Sequence, residues 1–490
     1  MKNVFQYILR SKIIRVLIMM LSISLSQGLN AQQLIWEKEF DNGDDNKGKC
    51  ITTDNFGNIY VSGYSSHTYP YGLTIKYDED GDTIWTRRSE MPITDIVCDS
   101  YGNIIVAGEI FSEDSLRINM IKYDPDGNTI WNHKSHGYYL FESSVFLTID
   151  SKDNIIICST FNSESGNNYE ILTLKYNTNA RFLWASFFDA YYEEYPVAVT
   201  VDNADNILVL GLSNKSRDYD WCILKYDEFG DSLWARRVDV GDCDYPCCVD
   251  TDFEGNIYVG GNVGSVNDFY ERKINKYNYN GELIWSKEFK DTLNYYAGNM
   301  INIKTDSNNV FVAGTYSYVD SSGGPWTEYY VAKLNLDMDY IWTYQKISNE
   351  NMSNIVADMT IDISGNIIVT GRTKQYPNDA IENYYTIKIQ DIQTRIKGDV
   401  VVPNSIKLYQ NYPNPFNAST VIKYELSKDS FVYLSIYNLQ GEIVKNLVMQ
   451  RQPIGEYIFN LSAEDLPSGT YILQMKIDSQ VRSRKFVLLK

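Results

Sequence analysis

A unit of about 50 residues recurs seven times along this chain, and every copy carries three landmarks in one order. The first is a polar turn running into an apolar strand. It reads Gly57-Asn58-Ile59, Gly102-Asn103-Ile104, Asp153-Asn154-Ile155, Asp205-Asn206-Ile207, Gly255-Asn256-Ile257, Asn308-Asn309-Val310 and Gly365-Asn366-Ile367. Five residues after each asparagine stands a glycine, except in the third unit, where Ser159 replaces it. The second landmark is a strand ending in lysine, at Lys76, Lys122, Lys175, Lys225, Lys276, Lys333 and Lys388, usually followed by tyrosine. The third is a short Asp/Asn/Gly turn and then a tryptophan: Trp85, Trp131, Trp184, Trp234, Trp285 and Trp342. Such turns are hairpin chemistry, because Gly, Asn and Asp tolerate positive φ.

Each unit therefore reads as four short strands, and evenly spaced strands in groups of four are the signature of propeller blades. The "NIIVAG"-type strands are apolar at nearly every position, as expected for strands covered on both faces. The seventh unit has Asn366 and Lys388 but no following tryptophan, while Trp36 precedes the first unit without a turn of its own. The N-terminal strand is therefore expected to complete the last blade and close the ring, rather than leave an open solenoid. The unit "TDNFGNIYVSGYSS…LTIKYDEDGDTIW" resembles the bacterial β-propeller repeat family of secreted and surface proteins over about residues 36–390. That resemblance implies a fold and little chemistry.

The period ends before residue 404, where the charge balance also changes sign. Residues 32–403 carry 30 basic and 56 acidic side chains, whereas residues 404–490 carry ten basic and seven acidic. Six strand-like runs separated by turns at Gln440-Gly441 and Ser468-Gly469 give the last segment the pattern of a small antiparallel sandwich. Its motifs are "NYPNPFN" (Asn411, Tyr412, Pro413, Asn414, Pro415, Phe416, Asn417), "IYNLQGEIV" around Gly441, "LPSGTYIL" around Gly469 and a closing "KFVLLK". They resemble the type A C-terminal sorting domain of the type IX secretion system, with Ala418 in place of the proline common there. The resemblance implies the type IX secretion machinery as a partner, and export across both membranes, often with removal of the domain and anchoring of the cargo. The plain alternative is an adhesive immunoglobulin-like module.

At the other end, Lys2, Arg10, Lys12 and Arg15 precede the apolar run from Val16 to Leu25, the pattern of a secretory signal peptide. No later run reaches the roughly 18 apolar residues of a membrane span. The expected division is 1–31 signal peptide, 32–402 seven-bladed propeller and 403–490 sorting domain, an all-β chain of propeller plus immunoglobulin-like β-sandwich. Location is secreted or on the outer cell surface, reached through the periplasm. The acidic surplus disfavours nucleic acid and anionic lipid as partners.

Candidate chemistry is sparse. The three histidines, His67, His133 and His136, recur at no repeat position. Cys243, Cys247 and Cys248 form the one cysteine cluster and suit a disulfide in an exported protein, whereas a metal site needs more ligands than stand nearby. An aspartate series, Asp54, Asp99, Asp150, Asp202, Asp252 and Asp362 with Asp306 displaced by one, is placed to accept backbone N–H groups and hold the turns. Calcium is the sharper alternative for it, but in "DPDGN" the glycine is fourth rather than sixth and no glutamate closes a loop of about twelve residues. The Asp-x-x-Gly-x-x-x-Trp run resembles the tryptophan-docking repeat of pyrroloquinoline quinone dehydrogenases and, less closely, the Asp-box of sialidases; in both the tryptophan is structural. No catalytic residue, metal ligand or cofactor is assigned. The leading function is a surface or secreted binding module for a glycan or a protein, with the aromatic insertions "SSHTYPYG" and "SSGGPWTEYY" as candidate contacts, against the plainer alternative that they are ordinary packed loops. The rivals are a hydrolase or lyase using paired carboxylates in the channel and a structural surface protein.

Overall fold

In the computed structural model, residues 31–489 are described apart from 113–114, 136–144, 163–168, 191–192, 216–217, 240–242, 265–270, 290–299, 307, 320–324, 347–351, 376–380, 393–405, 412, 418, 428–429, 442, 453–454, 464–465 and 478–479. Residues 1–30, where a signal peptide is expected, Tyr412, Ala418, His136 and the side chain of Cys243 lie outside what is described. The chain divides into two compact units, residues 1–393 and 394–490.

Among its described residues the first unit holds seven antiparallel four-stranded sheets. The first runs through Asp45–Thr53, Ile59–Ser66, Pro70–Tyr77 and Thr83–Ser89 in chain order from the inside outward. The innermost strands of the next six are Asp95–Cys98, Phe146–Ile149, Glu193–Val201, Cys243–Thr251, Met300–Thr305 and Met352–Ile361. Each packs on its successor and the last packs on the first, so the sheets close into a ring around a channel. The outermost strand of the seventh sheet is Ala31–Phe40, paired antiparallel with Glu382–Ile392. Core clusters form between neighbouring sheets, for example Ile105, Leu147, Ile157 and Leu174. Burial on both faces explains why the second strand of each unit is apolar without alternation.

The repeat landmarks form one interblade clamp. The turn aspartate accepts backbone N–H bonds and the amide of the landmark asparagine, as Asp150 does from Lys152 N, Asn154 N and Asn154 Nδ2, each within 2.9 Å. It also pairs with the lysine of its own sheet: Asp99–Lys122 2.7 Å, Asp150–Lys175 2.8 Å, Asp202–Lys225 2.8 Å, Asp252–Lys276 3.4 Å and Asp362–Lys388 3.0 Å. That lysine and the landmark tryptophan both donate to one carbonyl in the next sheet. Lys175 Nζ (3.0 Å) and Trp184 Nε1 (3.2 Å) share Glu228 O, and Lys388 (3.2 Å) and Trp36 (3.0 Å) share Glu79 O across the closure. Trp85, Trp131 and Trp234 do the same at Pro125, Thr178 and Tyr279, while Trp342 uses Asp391 Oδ1 (2.8 Å). Trp285 packs on Tyr258. Gly230 follows for two reasons: its φ is +89°, and a Cβ there would stand 2.7 Å from the Trp184 ring.

The remaining asparagines bind their aspartates likewise: Asn58–Asp54 2.6 Å, Asn103–Asp99 2.9 Å, Asn206–Asp202 2.9 Å, Asn256–Asp252 2.8 Å, Asn309–Asp306 2.9 Å and Asn366–Asp362 2.9 Å. The carboxylates considered for calcium are thus engaged by amides, backbone N–H groups and, in five sheets, an ammonium.

The second unit is an immunoglobulin-like sandwich. A sheet of Lys407–Leu408, Ser419–Leu426 and Gly455–Ser462 faces one of Ile443–Gln452, Ser430–Tyr437, Gly469–Ile477 and Gln480–Leu488. Ile422, Tyr424, Leu434, Leu473 and Phe486 fill its core.

Candidate functional site

A bulge recurs in the innermost strands. Pairing slips between Gly48 and Cys50, Pro196 and Ala198, Pro246 and Cys248, Met300 and Asn302, and Val356 and Asp358. The landmark glycine stands opposite, where the bulged backbone comes close: a Cβ on Gly63 would lie 2.1 Å from Lys47 O, and on Gly371 2.0 Å from Ile355 O. A bulge turns two successive side chains to one side, so both members of Lys49-Cys50, Cys247-Cys248 and Ala357-Asp358 line the central channel. This places the Cys247 and Cys248 sulfurs 3.3 Å apart. Burial, with the neighbouring thiol adding to it, pushes the Cys247 thiol well above its ordinary range.

The channel encloses a cavity of about 280 Å³. Around it Lys304 stands in the field of three carboxylates. Burial alone would lower the Lys304 ammonium, but Asp250, Asp358 and Asp95 reverse this and hold it above its usual value. Burial raises all three acids against the pull of Lys304, and Asp95, next to the Asp358 charge, reaches about 7. Each acid staples one innermost strand to the next. Asp95 accepts from Leu147 N (2.7 Å), Asp250 from Thr305 N (2.7 Å) and Asp358 from Ile51 N (2.9 Å).

Because the folded Asp95 holds its proton up to about pH 7 while the unfolded carboxyl releases it near 4, the folded state binds the extra proton between those values. Its contribution to stability therefore declines as pH rises through that window. In Asp95→Asn the fall in urea midpoint between pH 5 and pH 8 should be smaller than in the wild type; an equal or steeper fall would reject the assignment.

Antiparallel order puts the first and third hairpins of every sheet at the same end of the ring. Among the described residues, five aromatic rings within these turns stand exposed: Phe56 (75%), Tyr101 (76%), Phe229 (71%), Phe253 (57%) and Tyr279 (61%). Phe56 leans over the neighbouring turn, 3.6 Å from where a Cβ on Gly102 would be, which brings it beside Tyr101. Sequence reasoning passed over these residues because they sit inside turns already accounted for by the repeat. The available signal was a large aromatic in a turn that needs none.

The two aromatic insertions lie at the opposite end and differ from expectation. In "SSHTYPYG" Tyr69 is exposed, but Tyr71 donates its hydroxyl to Asp44 (2.7 Å). In "SSGGPWTEYY" Trp326, Tyr329 and Tyr330 are buried, so that insertion builds core rather than a platform. His67 lies 3.4 Å from Asp44 and His133 packs on Tyr176. Among the described residues, Asp220, Asp239 and Asp244 bring carboxylate oxygens within 4.8 Å of one another, beside the Arg237 guanidinium that pairs with Asp220.

In the second unit the "NYPNPFN" residues tie its start to its last strand. Asn414 accepts from Val487 N (2.9 Å) and donates to Lys485 O (3.2 Å), Phe416 exchanges backbone bonds with Val487 and Leu489, and its ring meets Phe486 at 5.6 Å. Pro413 O accepts from Thr420 Oγ1 (2.7 Å), the 414–415 peptide is cis, Gly441 has φ +85°, and Gly469 opens the strand carrying Tyr471.

The fold is thus a seven-bladed β-propeller followed by an immunoglobulin-like sandwich. Residues 410–489 match the secretion system C-terminal sorting domain, so the chain is a type IX secretion cargo destined for the cell surface or the exterior. No curated protein matches the chain in sequence. Among solved structures it is similar to PorZ, a surface component of the type IX secretion system of Porphyromonas gingivalis, at 13% identity and TM-score 0.40, over 90% of this chain and 59% of PorZ. The chain therefore spans less than two thirds of PorZ. It is also similar to the β-propeller domain of the trilobed protease from Pyrococcus furiosus (9%, TM-score 0.44, 74% of this chain and 99% of that one). A third likeness is to a family PL25 ulvan lyase (11%, TM-score 0.45, 68% and 93%).

Proposed function

We propose that the propeller is a binding module, displayed on the surface or released, that meets a glycan or protein ligand at the face bearing the exposed hairpin aromatics. The observation that supports this is the set of five rings at one end of the ring of blades, led by the neighbouring pair Phe56 and Tyr101. None of the five is needed by the core, and rigid exposed aromatics stack on sugar faces or anchor protein contacts. The hydrolase or lyase alternative has in its favour that Asp95 and Asp358 share the channel, yet each spends its oxygens on a backbone N–H of its own strand and one of the adjacent blade.

The full-length secreted chain, screened on glycan and surface-protein arrays, should give a ligand whose affinity falls about 30-fold in Phe56→Ala/Tyr101→Ala, the cost of losing an anchoring aromatic. The melting temperature should stay within a degree or two, since both rings are exposed. Binding that survives loss of all five rings would remove this face from the reading.

A further inference from the structure

We propose that the central channel is itself a binding site, for a single ring of a neutral polyhydroxy ligand such as a hexose. This goes beyond the hairpin-face reading and stands or falls separately from it.

Thr52, Thr148, Thr200 and Thr360 come from four different blades at one register, two residues before the turn aspartate, and all four line the channel cavity. None of their hydroxyls is hydrogen-bonded to another described residue. Thr94, also on the wall, contrasts with them: its hydroxyl is spent on Ala107 O and Val145 O. The Lys304 ammonium likewise reaches the cavity without a hydrogen bond or close ion pair to a described residue, although three carboxylates keep it charged. Donor and acceptor capacity from five blades thus converges on one cavity.

The charges select the ligand. Lys304 and Lys49, both on the wall, oppose a second cation, while Asp95 and Asp358 on the wall, together with the field of Asp250, oppose an anion. Hydroxyl groups suit both, donating to carboxylates and accepting from the ammonium and threonines. Phe146, four residues before its turn aspartate, adds an apolar surface to the wall for the C–H face of a sugar ring. A volume of about 280 Å³ lies just below the range of pockets for drug-sized molecules, so it admits one ring with water rather than a chain.

The test is ligand-observed NMR and calorimetry on the full chain with glucose, galactose, mannose, fucose, rhamnose and xylose, and with glucuronate and methylammonium as charged probes. At least one neutral sugar should bind saturably and more tightly than either charged probe. Thr148→Val/Thr200→Val keeps the shape of the wall and removes two hydroxyls, so it should weaken binding about tenfold or more at unchanged melting temperature. Lys304→Met should do the same if it folds, and the threonine pair decides the question if it does not. Phe56→Ala/Tyr101→Ala should leave this binding intact. Failure of every neutral sugar, preference for a charged probe, indifference to the threonine pair, or loss only in the hairpin variant would each overturn the channel site.

Discussion

Lys175→Met should cost the propeller about 3–5 kcal/mol, the penalty for stranding a buried charge. Lys175 and Asp150 are 3% and 0% exposed, 2.8 Å apart, and the lysine also holds Glu228 O of the next blade. Burial alone would raise the Asp150 carboxyl, but its bonds from Lys175 and Asn154 hold it below its ordinary value. A depressed carboxyl stabilises the fold above the unfolded value and loses that contribution as pH falls through the folded one. In the variant the ammonium is gone, the folded carboxyl rises, and protonation relieves the stranded charge. The gap between variant and wild type should therefore be widest at pH 7.5 and narrower at pH 4.5. All nine tryptophans lie between residues 36 and 342, so tryptophan fluorescence during urea denaturation reports this unit alone. A gap that widens toward acid, or a cost below about 1 kcal/mol, would show that the clamp is not an ion-pair device.

Deleting residues 31–40 should have a still larger effect, because it removes the outer strand of the seventh blade and opens the ring. That strand pairs from Ala31 opposite Ile392 to Phe40 opposite Tyr384. It also reaches the first blade, through Trp36 to Glu79 O and Lys38 to Asp82 (3.0 Å). Trp36→Ala alone should cost about 3 kcal/mol, as for other large-to-small changes at packed aromatics. The deletion adds the loss of a whole ladder and bares Glu382–Ile392 as an unpaired edge that invites self-association. The expected result is a lower fluorescence midpoint and concentration-dependent aggregates on a sizing column, both corrected by a synthetic peptide of residues 31–41. A deleted protein that stays monomeric at the wild-type midpoint would mean the ring does not depend on this closure.

The blade pattern was legible because hairpin turns and buried strands are local: "DEDGD" and "NIYVSG" announce their conformation wherever they occur. Trp36 without a turn, set against a seventh unit without a tryptophan, was enough to anticipate the closing strand. The sorting motifs were legible as a string, and the structure supplies their reason, since Asn414 and Phe416 fasten the start of that unit to Val487 and Leu489. At "SSGGPWTEYY" packing rather than ligand contact is what the structure shows, with Trp326, Tyr329 and Tyr330 buried, and composition alone could not decide between the two because it carries no information about which face of a strand a ring takes.

Glycine exceptions show the same limit. Asp153 and Asp205 adopt φ of 58° and 60° where four of the other turns carry glycine, and each binds a serine of the preceding blade, Ser100 and Ser151, through backbone and hydroxyl. Nothing in either turn taken alone reveals that partner about 50 residues away.

By itself, the sequence determined the repeat, its strands and turns, the closing strand and the export address, all properties written in neighbouring residues. Only the tertiary structure decided that Asp, Lys and Trp act as one clamp between blades, and that bulges set Cys247 against Cys248 and bring Asp358 to the channel wall. It alone gathered four threonines and Lys304 around one cavity. Those groupings join side chains from different blades, and ring closure, not spacing along the chain, sets the distances between them.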